Sequence, residues 1–176
     1  MQVPCGPRYR VAHVVRTTPT MSRVKVSTRG DYACRALLSL ALHAAEGPTS
    51  VRDIAERTGL PQPYLEQILL ALKGAGLVRS KRGVGGGYIL ARPPSEISLA
   101  SVVSAVDGPI QAGDFGEPHT NGACDHEGQC VLLAIWGDVG ERMRRLLEGF
   151  SLSDLAAMTR GERDWPESPV DSPIAG

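Results

Sequence analysis

The stretch from Ser50 to Ala91 constrains this chain more than any other. Ser50 with Asp53 three residues later forms a capping-box start ahead of Val51, Ile54 and Ala55. Gly59 supplies the stop, because glycine accepts the left-handed backbone that ends a helix. Gln62 is placed to cap a second helix, with Pro63 at its first position, where no backbone N–H is missed. Leu65, Ile68, Leu69 and Leu72 then recur at helical spacing and leave Gln62, Glu66, Gln67 and Lys73 on other faces. Gly76 closes that helix. Two short apolar runs follow, Leu77-Val78 and Tyr88-Ile89-Leu90, joined by Lys81-Arg82-Gly83-Val84-Gly85-Gly86-Gly87. Helix, turn, helix and glycine-tipped hairpin in that order describe a winged helix-turn-helix. In such a fold the second helix enters the DNA major groove and the wing lies along the backbone.

The glycine-rich segment admits other readings. A nucleotide-binding P-loop needs a Lys-Ser/Thr and a helix after the glycines, and a dinucleotide-binding turn also opens a helix. Here Tyr88-Ile89-Leu90 reads as a strand, so both fail on context. A merely flexible hairpin tip stays open as the plain alternative. Lys81 and Arg82 beside bare backbone favour phosphate or minor-groove contact.

Net charge is zero, which argues against a nucleic-acid partner until its distribution is read. Lys and Arg exceed Asp and Glu by six over residues 22–92 and fall short by nine over 93–176. A basic front half on an acidic rear half suits a DNA reader with a separate partner or sensor region. The apolar share of 42% is enough for a core, and no apolar run is long enough to span a bilayer. A DNA reader of this kind is expected in the cytoplasm. No nucleophile–base pair or paired-carboxylate site stands out, and a thiol redox enzyme would carry Cys-x-x-Cys, which is absent. An enzyme is therefore not expected. A winged helix that serves only as a protein-docking surface is the rival reading, and salt dependence of duplex binding separates the two.

The remaining chain is organised more coarsely. Residues 1–20 read as a disordered leader or a start-site artefact. A secretory signal would need a longer apolar core, while a transit peptide is compatible in composition. The spacing predicts a first helix over Asp31–Ala45 with Ala33, Leu37, Leu38, Ala41 and Leu42 buried, ended by Gly47-Pro48. A fourth helix over Ser98–Val106 is capped by Ser98 and stopped at Asp107-Gly108-Pro109. A winged helix-turn-helix domain thus occupies 21–107. A loop over 108–130 is too long for a casual connection. From Val131 to Phe150 a helix carries Leu132, Ile135, Trp136, Val139, Met143, Leu146, Leu147 and Phe150 at alternating spacings of three and four, a coiled-coil-like seam. Residues 131–160 are therefore expected to form a dimerisation region, giving a homodimer that fits two-fold-related DNA half-sites. Residues 161–176, rich in proline and charge, read as a disordered tail. The fold class is mainly α with a small β-hairpin wing, plus a long C-terminal dimerisation helix.

Within the 108–130 loop lies Cys124-Asp-His-Glu-Gly-Gln-Cys130. Two cysteines with His119, His126, Asp125 and Glu127 nearby suit a soft metal or an iron–sulfur cluster. Structural zinc normally shows closer Cys pairs. A redox-active dithiol and two ordinary thiols of a reducing cytosol remain open as alternatives. Cys34, in the first helix, reads as a small core residue, and Cys5 has no assigned role.

Several runs together resemble a known family. They are Val26-Ser-Thr-Arg-Gly-Asp-Tyr-Ala33, Tyr64-Leu-Glu-Gln67, Gly76 through the triple-glycine wing to Tyr88, Val102-Val-Ser-Ala-Val-Asp107 and Cys130-Val-Leu-Leu-Ala-Ile-Trp136. Across about residues 21–160 the chain resembles the iron–sulfur regulators of the IscR/NsrR type. The resemblance implies a dimeric winged-helix transcription factor, usually a repressor, whose DNA affinity is tuned by a cluster that reports iron–sulfur supply, nitric oxide or redox stress. Glu66, Gln67 and Arg82 match base-reading positions of the family, and Tyr64 matches a neighbouring DNA contact. The chemistry agrees, since Glu accepts from cytosine N4, Gln pairs adenine, and Arg pairs guanine or enters a narrow minor groove.

The sensor departs from the family pattern. Cys124 and Cys130 match the last two of three cysteines, but Pro118 stands where the first would be, with His119 beside it, and Leu133 stands where one branch has histidine. Asp31 matches the position that supplies a carboxylate ligand in the nitric-oxide-sensing branch. The expectation is thus a cluster on Cys124, Cys130 and two non-cysteine ligands, with His119 and Asp31 the leading candidates; in a dimer Asp31 could come from the partner chain. Mixed ligation favours a two-iron over a four-iron cluster. The family also has cluster-free members, so a regulator answering to thiol oxidation, a metabolite or a protein partner is the alternative.

Overall fold

The computed structural model describes residues 26–111 and 131–166. Helix α1 (Thr28–Leu42) is the scaffold on which the rest is packed, in contact with α2 (Val51–Thr58), α3 (Gln62–Gly74), α4 (Leu99–Asp107) and α6 (Leu152–Thr159). Between α3 and α4 runs an antiparallel hairpin of β1 (Val78–Lys81) and β2 (Gly87–Leu90), and α5 (Val131–Glu148) leans on α4. The described architecture is mainly helical with a two-stranded wing.

Local chemistry accounts for most boundaries. At α2 the capping box is complete: the Asp53 N–H donates to Ser50 Oγ at 3.1 Å and the Ser50 N–H donates back to Asp53 Oδ2 at 3.3 Å. Gly59 at φ 69° ends it, with the Gly59 N–H on Ala55 O at 2.8 Å. At the end of α3 the Leu77 N–H reaches Leu72 O at 2.9 Å and the Gly76 N–H reaches Lys73 O at 3.0 Å, around Gly76 at φ 69°. That is the Schellman pattern, and the buried pair Leu72 and Leu77 supplies its apolar contact. Ser98 caps α4 as expected, its Oγ accepting from the Ser101 N–H at 3.2 Å.

Some expectations are corrected. Helix α1 starts at Thr28 rather than Asp31, because Ser27 Oγ accepts from the Gly30 N–H at 2.8 Å and caps it three residues earlier. It ends at Leu42, and Ala44–Glu46 form a separate 3₁₀ turn. Ala33 and Leu37 are buried as read, but Leu38, Ala41 and Leu42 are only half-buried. The buried arc instead runs through Gly30, Ala33, Ala36, Leu37, Ser39 and Leu40. Gln62 does not cap α3: Pro61 holds the cap position without a side-chain bond, and Gln62 is the first helical residue.

The seam helix stops at Glu148, not Phe150. A second capping box, Ser151 with Asp154, starts α6, whose Leu152 and Ala156 are buried. Leu152 belongs to the same core as Leu37, Ile54, Leu65 and Ile97, so the chain after α5 returns to the winged-helix body. The leader, most of the loop with His119, Cys124, His126 and Cys130, and the end of the tail lie outside the described residues. Among the described residues no helix is long and apolar enough to cross a membrane.

Candidate nucleic-acid interface

Helix α3 is two-sided. Leu65, Ile68, Leu69 and Leu72 are fully buried against the core, which turns Gln62, Tyr64, Glu66 and Gln67 outward, all exposed. Gln62 Nε2 donates to Glu66 Oε1 at 3.2 Å, so one oxygen of the Glu66 carboxylate is oriented before any partner arrives. Tyr64 is held edge-on against the Tyr32 ring of α1, with centroids 5.7 Å apart and planes at 83°. That packing fixes the ring while leaving the residue exposed.

The wing is joined to this helix and to the body. Its register pairs Val78 with Leu90, Arg79 with Ile89, Ser80 with Tyr88 and Lys81 with Gly87. Lys73 Nζ, in the last turn of α3, donates to Ser80 Oγ at 2.9 Å. On the other strand Tyr88 exchanges two backbone bonds with Thr49, at 3.0 and 2.8 Å. Gly87 is obligatory at that crossing, since a Cβ there would lie 2.3 Å from Thr49 O.

Charge is arranged differently at the two ends. Along α5 the arginines are consumed locally: Arg142 pairs with Asp138, Arg144 with Glu141 and Glu148, and Arg145 with Glu141. The Arg144 and Arg145 guanidiniums hold the Glu141 carboxyl down at about 2. Among the described residues the ion pairs leave out Arg79, Lys81 and Arg82 on the wing, all exposed. Uncommitted cations on a slim hairpin beside a polar helix face are what phosphate contact requires.

The described part of the sensor reading centres on the start of α1. Asp31 is half-exposed and its Oδ2 takes a single ion pair, from Arg35 Nε at 2.9 Å. Asp107 at the end of α4 accepts from Ser27 Oγ at 2.5 Å, and Gly30 makes room for it, since a Cβ there would lie 2.9 Å from Asp107 Oδ2. Cys34 sits between these carboxylates. Burial, then Asp31, then Asp107, push its thiol up to about 12, so it is a protonated packing residue and a poor metal ligand. Asp31, by contrast, is accessible and, among the described residues, tied only by an exposed ion pair, which costs little to release. It suits a ligand role, but among the described residues no group of three His, Cys, Asp or Glu could by itself hold a metal ion.

A helix-turn-helix with a basic, glycine-tipped wing defines a winged helix-turn-helix DNA-binding transcriptional regulator. The chain belongs to the Rrf2 family, described as iron-dependent transcriptional regulators, whose profile matches residues 26–158. It is 42% identical over 132 residues to the HTH-type transcriptional regulator IscR of Aliivibrio salmonicida, covering 75% of this chain and 77% of that one. Among solved structures it is similar to IscR of T. potens (34% identity, TM-score 0.61, 83% of this chain and 95% of that one). It is likewise similar to CymR, the global cysteine regulator of B. subtilis (34% identity, TM-score 0.62, 76% and 96%). The family consists of regulators of transcription rather than enzymes.

Proposed function

We propose that this chain is a homodimeric repressor that reads its operator through Gln62, Tyr64, Glu66, Gln67, Lys81 and Arg82. Its DNA affinity is set by an iron–sulfur cluster on Cys124, Cys130, His119 and Asp31. The observation that carries the DNA half is the contrast in charge: wing cations without carboxylate partners stand beside an exposed Tyr64-Glu66-Gln67 face, while the arginines of α5 are internally compensated. The homodimer is supported by α5, which leaves Leu132, Ile135 and Leu146 exposed on one helix, too much apolar surface for a solitary peripheral helix. Such a regulator works in the cytoplasm.

The cluster half is supported by the two-cysteine spacing, by the accessible Asp31 and by the family's iron dependence. When bound, a cluster supplies reversible redox and ligand-exchange chemistry, tuned by ligand charge and exposure. Two nitrogen or oxygen donors among four favour the two-iron form. Likeness to a cysteine regulator supports the second reading, a cluster-free regulator answering to a metabolite, a partner or thiol oxidation.

Anaerobic purification of wild type, Cys124→Ser and Asp31→Asn, with absorption spectra and iron and sulfide assays, separates the two. A brown wild type with matched iron and sulfide, bleached in Cys124→Ser and altered in Asp31→Asn, supports the cluster. A colourless wild type after reconstitution leaves the DNA reader and favours the second reading.

A further inference from the structure

We propose that Val84 is a specificity-determining residue that enters the operator's minor groove and selects an A·T step there; this rests on the DNA-binding reading above. The hairpin tip from Gly83 to Gly87 carries a single side chain. Each glycine in it has a reason internal to the fold. Gly83 and Gly85 sit at φ 97° and 70°, where side chains are strained, although a Cβ at either would meet nothing. Gly86 and Gly87 are excluded by space, since a Cβ would lie 2.4 Å from Lys81 O and 2.3 Å from Thr49 O.

Val84 has no such reason. Its relative exposure is 110%, so it packs on nothing in its own chain. A turn position flanked by glycines ordinarily takes Asn, Asp or Ser, whose side chains bond the local backbone. A β-branched apolar residue there gives the turn nothing. Single exposed valines are common on protein surfaces, but this one stands at the outermost point of the element that carries the unpaired Lys81 and Arg82.

Width completes the argument. The B-DNA minor groove is only about 6 Å across, too narrow for a decorated hairpin but open to bare backbone tipped by one small side chain. With Lys81 at the base of the tip taking a phosphate and Arg82 beside it reaching a base edge, the valine faces the groove floor. A·T pairs present a floor of acceptors without a protruding group, whereas G·C projects the guanine N2 amino group. An apolar side chain displaces that amino group's water and offers no acceptor in return, so G·C is disfavoured there. Apolar residues that enter this groove also part the base step and bend the duplex.

The test uses the full chain and an operator selected from random duplexes by the wild type. Base pairs under the wing, located by minor-groove footprinting, are changed from A·T to inosine·C, which keeps an A·T-like minor groove, and to G·C. Wild type should bind the A·T and inosine·C duplexes equally and the G·C duplex about five- to tenfold more weakly. Val84→Ser should bind the A·T duplex about three- to tenfold more weakly and lose the preference against G·C, with an unchanged melting temperature. Val84→Ser behaving as wild type on all three duplexes, or wild type treating inosine·C like G·C, would overturn the proposal. Failure of wild type to select any duplex over random DNA would overturn the DNA-binding reading itself, and Val84's role with it.

Discussion

Lys73 Nζ lies 2.9 Å from Ser80 Oγ, tying the last turn of α3 to the first strand of the wing. The two parts of the candidate interface are thus held as one body. The bond is exposed, so its net worth to folding is small, about 0.5 kcal/mol. It also bears on recognition, because a wing that drifts relative to α3 must be ordered when DNA binds. Ser80→Ala should leave the melting temperature within a degree or two. It should weaken specific operator binding two- to threefold, by about 0.5 kcal/mol. The salt slope should not change, since no charge is removed. An altered slope would mean that Ser80 acts by another route.

Gly87→Ala tests the other attachment. The added Cβ would meet Thr49 O at 2.3 Å and Thr49 C at 2.5 Å, both backbone atoms that no rotamer change can move. The strand must pull away and lose the paired Thr49–Tyr88 bonds. A cost of about 2 kcal/mol or more is expected, in the range of overpacking plus lost hydrogen bonds. Urea denaturation measures it, and amide exchange should localise faster opening to Thr49 and Tyr88. A neutral result would mean that the wing does not sit on the body as described.

Arg82→Ala should cost about 1–3 kcal/mol on the selected operator if the guanidinium pairs a base, and lower the salt slope by about one. On random duplex the loss should be smaller. Equal losses on both would make Arg82 a phosphate contact only.

The helix-turn-helix was legible because its punctuation is local. The Ser50–Asp53 box, Gly59 and Gly76 each act within a few residues of their own position. The phase of α1 was harder. Its buried arc includes Gly30 and Ser39, which carry no hydrophobic signal; Gly30 is there because Asp107 comes within 2.9 Å of where its Cβ would stand. That requirement comes from α4, far along the chain. The α6 start was written in the sequence, as Ser151 with Asp154, but the apolar seam running through Phe150 masked it. The outward face of α3 followed directly from its buried one. The Lys73–Ser80 bond did not, since it depends on the wing's register.

The apolar side of α5 carries the dimer prediction. Leu132 is 60% exposed and Leu146 64%, one near each end of the helix. Replacing either with arginine should shift a dimer toward monomer by charging its seam, at about 2–3 kcal/mol per buried leucine lost. Sedimentation equilibrium reads the outcome. Because both side chains are exposed in the single chain, circular dichroism of the variants should remain helical. A variant that stays dimeric would move the interface elsewhere.

Cys34 supplies the pH prediction. Burial first, then the Asp31 and Asp107 carboxylates, raise its thiol from the ordinary 9.0 to about 12. A thiol whose folded value lies above its unfolded one favours folding fully at low and neutral pH, and the advantage fades as pH rises. In the window between 9.0 and about 12 the unfolded chain has lost the proton and the folded chain keeps it, so stability falls with rising pH. Cys34→Ala should remove that part of the slope in urea denaturation between pH 8.5 and 10.5, on the order of 1 kcal/mol. Below pH 8 the slopes of the two proteins should coincide. Alkylation gives a second reading, because the thiolate is the reactive form. Iodoacetamide at pH 8 should leave Cys34 unmodified in the folded chain and label it in urea, as peptide mass mapping would resolve. Rapid labelling of folded Cys34 would mean an accessible thiolate beside Asp31 and overturn its reading as a protonated packing residue.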